Sequence, residues 1–121
     1  MQNWSLTSAV PGRLRLVIHV ARGWAPELAC QLRSEGISCP RVGPYSVRVE
    51  QAASLVTLLK RLLPTAQRRA LAPLLDEYAR LYTLPLTVRG AKTPVEVREQ
   101  RREVVRKILE RLPAPAREVV G

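Results

Sequence analysis

Pro11-Gly-Arg-Leu-Arg-Leu-Val-Ile-His-Val20 is the stretch whose reading decides the fold. Pro11-Gly12 supplies a turn, and from Arg13 to Val20 apolar and polar side chains alternate with the period of two that a half-buried strand requires. Leu14, Leu16, Ile18 and Val20 are thereby assigned to a core, and Arg13, Arg15, Val17 and His19 to the opposite face. Upstream of the turn, Trp4 to Val10 can also run extended.

Downstream, the pattern changes to a helical one. Ala25 to Glu35 reads as a helix, with Pro26 in its first turn, Gly36 placed to end it, and Leu28, Leu32 and either Ala29 or Cys30 facing inward. Ile37 to Val42 can form a short edge strand, followed by a Gly43-Pro44 turn and a cleaner strand, Tyr45 to Glu50. In that strand Tyr45, Val47 and Val49 share one face and Arg48 lies opposite.

Gln51 to Leu63 carries leucines around much of its circumference, the mark of a largely buried helix, and Pro64 stops it. Thr65 can cap a further helical segment to about Tyr82, where Pro73 predicts a kink or two short helices. Leu84 to Arg89 is a short edge-strand candidate. Thr93-Pro94-Val95-Glu96 has capping-box spacing with Pro at the first helical position, which predicts a helix over 94–112 that Pro113 and Pro115 end.

Strand, helix, two short strands, helix and an optional last strand is the order of an α+β, ferredoxin-like βαββα(β) fold, an antiparallel sheet with helices on one face, here followed by additional C-terminal helices. The expected organisation is a core with an added helix over 1–90 and a C-terminal helix and short tail over 91–121, packed on the same domain. Pro11-Gly-Arg-Leu-Arg-Leu16, the helix around Pro26 to Leu32 and Tyr45-Ser-Val-Arg-Val49 make the N-terminal half resemble heavy-metal-associated-type domains. Metal-binding members of that family carry a CxxC motif after the first strand. This chain has Ala21-Arg22-Gly23-Trp24 there, so the resemblance implies the fold without the metal site.

Over 121 residues the apolar fraction is 46%, enough for a core that needs no disulfide or metal. With no Phe, two Trp and three Tyr, that core is built mainly from Leu, Val, Ile and Ala, and stacking surfaces are few. Twenty basic residues, nearly all Arg, against 10 acidic ones give a formal charge of +10, a field that attracts phosphate polymers or acidic surfaces. Apolar runs such as Leu14–Val20 and Leu55–Leu63 are interrupted by charge and too short to span a membrane. The first residues lack a basic start followed by an apolar stretch, so a cytoplasmic protein with Cys30 and Cys39 reduced is the expectation.

Catalysis needs convergent groups, and none stands here at a recognised spacing. His19 is a lone imidazole on a strand, and Asp76 and Glu77 are adjacent on a helix and diverge. The glycines form neither a GxGxxG nor a Walker pattern, so no phosphate-bearing cofactor is indicated. A non-enzymatic binding protein without metal or other cofactor is expected.

The basic residues gather in three places. Arg13, Arg15 and Arg48 are assigned to the sheet face opposite the helices, which lacks the aromatics that single-strand readers use. Arg98, Arg102 and Arg106 follow at i, i+4, i+8 along the last helix, rising about 6 Å per step, with Glu99 and Glu103 close enough to pair with neighbouring cations. Lys60-Arg61 and Arg68-Arg69 flank the Pro64 break. Arg101 falls within the apolar stripe of Val97, Val104 and Ile108, so it either snorkels to the edge or marks where a partner docks.

These patterns lead to nucleic acid, DNA or RNA, as the first expectation, gripped by Arg clusters at phosphates with little base readout. The alternative is a protein-interaction module, an oligomer or a regulatory subunit of a larger assembly that meets an acidic surface. A metal carrier ranks third.

Overall fold

A computed structural model describes residues 3–8, 10–38, 40–83 and 95–112, together with the backbone of 117–118. Its elements run β1 (Asn3–Thr7), β2 (Arg15–His19), α1 (Ala25–Ser34), β3 (Arg41–Val42), β4 (Ser46–Val49), α2 (Ala52–Leu62), α3 (Thr65–Thr83), α4 (Val95–Arg111) and β5 (Arg117–Glu118). The fold is α+β, with α1 between β2 and β3 and the helices α2, α3 and α4 following β4.

The sheet order is β3-β4-β2-β1-β5, antiparallel throughout except for the parallel β1–β5 pair. With β2 in the centre, β4 beside it and β3 at the edge, this is a ferredoxin-like arrangement whose remaining inner place is taken by β1. Thr7 pairs with Arg15 and Asn3 with His19, so the N-terminal segment folds back through the Pro11-Gly12 turn as a hairpin partner. The edge strand expected at Leu84 to Arg89 lies outside the described residues.

Strand parity follows the sequence pattern. Leu6, Leu16, Ile18, Val47 and Val49 point to one side and are fully buried, and Leu14 joins them just ahead of β2. The other side carries Arg15, Val17 and Arg48, all half-buried. Cross-strand pairing sets Val17 beside Arg48 and Arg48 beside Arg41. Tyr45 departs from expectation: β4 begins only at Ser46, and the Tyr45 ring is 55% exposed.

The helix ends show why these segments stop where they do. At the end of α1, Gly36 adopts φ 89°, and the N–H of buried Ile37 donates back to the Leu32 carbonyl at 2.9 Å, a glycine-terminated helix closed by an apolar contact. Cys30 is exposed, and Ala29 takes the inward position beside Leu28 and Leu32. Successive helical residues are turned by about 100°, so only one of that pair can face the sheet. At the start of α2, Gln51 Oε1 accepts from Ser54 N at 2.7 Å, and Ser54 Oγ accepts from Ser38 N at 2.9 Å. The helix start is thus tied to the loop that leads into β3.

Of the kink or two short helices expected at Pro73, the second does not occur: α3 is one helix from Thr65 to Thr83 with Pro73 inside it. Pro73 is exposed, as is Arg69, whose carbonyl loses its intrahelical partner, so water can satisfy that group and the helix continues. Leu71, Leu75, Tyr78 and Leu81 form its buried face, and Val104, Val105, Ile108 and Leu109 form that of α4. These side chains belong to the same core cluster as the sheet leucines, so the two long helices extend one hydrophobic interior. Among the described residues no helix is long and apolar enough to cross a membrane.

Candidate functional site

Two tyrosines one helical turn apart on α3 fix the loop that leads into β2. The buried Tyr78 hydroxyl accepts from Leu14 N at 2.9 Å, and the Tyr82 hydroxyl donates to the Gly12 carbonyl. Their rings tilt at 54° with centroids 4.9 Å apart. Gly12 itself is buried at φ 79°, and a Cβ there would stand 3.4 Å from Arg101 Cβ. The Pro11-Gly12 turn therefore lies directly against α4.

Where turn, α3 and α4 meet they enclose a cleft of about 390 Å³, lined by Val10, Pro11, Gly12, Arg13 and Tyr82 on one side and by Arg98, Arg101 and Arg102 on the other. Arg101 forms part of its wall. Its guanidinium carbon lies 3.9 Å from the Tyr82 ring centroid, and Nη2 donates to the Leu81 carbonyl at 2.9 Å. Leu81 is in the last turn of α3, where backbone carbonyls lack intrahelical donors and the helix dipole favours a cation. Nε of Arg101 is buried and has no hydrogen-bond partner among the described residues. Arg13 places a second guanidinium 5.3 Å from the same ring centroid.

This arrangement answers the puzzle of Arg101. The stripe containing it packs on α3 within the chain, and the guanidinium reaches the rim of that contact to meet an aromatic face and a helix end. Docking of a partner is not required to explain its place among valines.

The remaining basic positions sort by what they touch. Arg15 pairs with Glu50 at 3.0 Å, Arg61 with Glu35 at 3.2 Å, and Lys60 with Asp76. Arg106 is held between Glu103 and Glu110, and Lys107 lies 4.0 Å from Glu103. The hydrogen bonds from Arg106 hold the Glu103 carboxyl below its ordinary range, and Arg80 does the same to Glu77. Arg68 donates to the Leu63 carbonyl across the Pro64 break, and Arg69 is exposed.

Two expected clusters therefore divide. Arg15 and Arg48 share the outer sheet face, but Arg13 precedes the strand and turns to the cleft, because the chain has not yet entered the ladder. On α4, Arg98 and Arg102 line the cleft while Arg106, one turn further on, is neutralised by carboxylates. Arg13, Arg98, Arg101 and Arg102 come together, and among the described residues no carboxylate lines their cleft.

Two features escaped the sequence reading. Tyr82 organises the cleft, and only its spacing of four from Tyr78 hinted that both rings would face one way. Trp24, 59% exposed, and Tyr45 flank the opposite end of the sheet, where Val20 N donates to the Tyr45 carbonyl. Compared with known proteins, the chain matches no family model, no curated protein and no solved structure.

Proposed function

We propose that this chain is a non-enzymatic nucleic-acid-binding protein that holds phosphate in the arginine cleft between the Pro11–Arg13 turn and α4. One observation carries the reading: four arginines line one cleft, two of them with their guanidiniums over the Tyr82 ring, and no carboxylate is among the described residues lining it. Elsewhere Arg15, Lys60, Arg61, Arg80 and Arg106 are paired with acids, whereas the cleft gathers its arginines with no carboxylate among the described residues that line it. Planar guanidiniums present forked donors that fit phosphate oxygens, and each contact releases condensed counterions.

Both guanidiniums over Tyr82 occupy space that a stacked base would need, which fits electrostatic grip rather than base readout. The test is titration of labelled single- and double-stranded DNA and RNA at rising salt. Binding that weakens linearly on a log–log plot is the expected result, and no retention of any of the four polymers at low salt overturns the reading.

A second reading, a protein-interaction module, draws on the exposed side chains of Trp24, Val42 and Tyr45 around the far end of the sheet. Sedimentation separates the two: self-association lost in Trp24→Ala favours the second, whereas a monomer that gains mass only with nucleic acid favours the first.

A further inference from the structure

The cleft offers more positive charge than one internal phosphate can use. A phosphodiester carries a single negative charge, whereas a phosphate monoester carries about 1.5 to 2 at neutral pH and presents three strong acceptor oxygens. We propose that the cleft is a seat for a phosphate monoester, and specifically for the terminal phosphate of a nucleic-acid strand; this rests on the reading above.

Geometry and chemistry both point this way. Arg98 and Arg102 stand four residues apart on α4, so their side chains leave the helix about 6 Å apart on one edge and can approach one tetrahedral group from two sides. Arg13 reaches the same space from the opposite wall. Arg101 already gives Nη2 to the Leu81 carbonyl and packs on Tyr82, so it serves as a fixed cation that positions the site. Its Nε is a buried donor without an acceptor among the described residues, a group that a native structure ordinarily supplies with water or an ion. A cleft of about 390 Å³ accommodates a phosphoryl group with the adjoining nucleoside.

An internal phosphate must bring flanking nucleotides in on both sides. A chain end brings them on one side only and places the greater charge at its tip. Recognition then depends on charge and forked donors, because the aromatic ring of the cleft is taken up by guanidiniums.

The experiment is fluorescence anisotropy of one oligonucleotide, labelled internally, prepared with a 5′-phosphate, with a 3′-phosphate, or with hydroxyls at both ends. Wild type, Arg98→Gln, Arg102→Gln and the double variant are compared, with circular dichroism confirming that each is folded. A phosphorylated end is expected to bind about tenfold tighter than hydroxyl ends, in line with one or two added charge-assisted hydrogen bonds, and the advantage is expected to vanish in the double variant.

Equal affinity for phosphorylated and hydroxyl ends overturns the terminal seat while leaving nucleic-acid binding in place. An advantage that persists in the folded double variant overturns it as well, by placing the site elsewhere. A nucleoside monophosphate and inorganic phosphate are run as competitors: displacement of the phosphorylated strand supports the monoester chemistry. Direct binding of the mononucleotide, with no binding of any oligonucleotide, overturns both the strand-end assignment and the nucleic-acid reading.

Discussion

The Arg101 guanidinium lies 3.9 Å from the centre of the Tyr82 ring while its Nη2 donates to the Leu81 carbonyl, so one cation joins α4 to the end of α3. The contact lies where the core leucines and valines give way to the cleft, and it holds the two long helices in the relation that gathers the arginines. A cation over an aromatic face contributes about 0.5–2 kcal/mol, and a hydrogen bond from a charged donor about 1.5–3 kcal/mol.

Arg101→Ala is therefore expected to lower stability by about 1–3 kcal/mol, seen as a reduced urea midpoint at unchanged slope. Arg101→Lys keeps the charge but cannot stack and donate with the same planar fork, so roughly half of that loss should remain. A lysine variant as stable as the wild type would show that charge alone matters at this position.

Gly12 and Gly23 both adopt positive φ, at 79° and 89°, but only Gly12 has α4 against it. Alanine at either position is expected to cost about 1 kcal/mol from backbone strain. Gly12→Ala should cost more, because its Cβ meets Arg101 and Arg102 and any shift of the turn disturbs the Tyr82 bond to the Gly12 carbonyl. Parallel urea unfolding of the two variants isolates the contact, and equal losses would mean that the turn does not hold α4 in place.

How far the sequence reached is clearest at particular residues. Alternation through Leu14, Leu16 and Ile18 located the central strand, since burying one face requires that period whatever the neighbours are. Arg101 was legible as an anomaly. Its resolution was not, because Tyr82 and Leu81 stand about twenty residues earlier and reach it only when α3 and α4 pack. The same limit applies to charge: Arg15 finds Glu50 35 positions away and Arg61 finds Glu35 26 positions away, so a count of cations cannot say which are neutralised. Strand β1 took the inner sheet place beside β2 because hairpin pairing depends on register across a loop, which periodicity alone does not set.

Burial raises the Tyr78 phenol well above its ordinary value, with the hydrogen bond from Leu14 N acting in the opposite direction. The folded protein therefore keeps Tyr78 neutral at a pH where the unfolded chain ionises. Its contribution to stability is complete below about pH 10, the ordinary tyrosine value, and falls as pH rises beyond it. Circular dichroism in fixed urea should show stability declining above about pH 10. Tyr78→Phe should lose part of that decline, and at neutral pH should be less stable by about 1–3 kcal/mol because the buried Leu14 N–H is left without an acceptor. An unchanged alkaline limb in Tyr78→Phe would assign the effect to another group.

Salt dependence separates cations that serve a polyanion from those that serve the fold. Arg98 and Arg102 line the cleft, whereas Arg61 is paired with Glu35, and Arg106 with Glu103 and Glu110. A phosphate contact made by one arginine contributes about 0.7–0.9 to the magnitude of the log–log salt slope, depending on strandedness. Arg98→Gln and Arg102→Gln are each expected to reduce that magnitude by about this amount and to weaken binding similarly for all sequences. Arg61→Gln and Arg106→Gln remove charges already balanced nearby and should leave the slope within error. If all four variants lower it equally, binding is a response to net charge spread over the whole surface, and the cleft holds no privileged place in it.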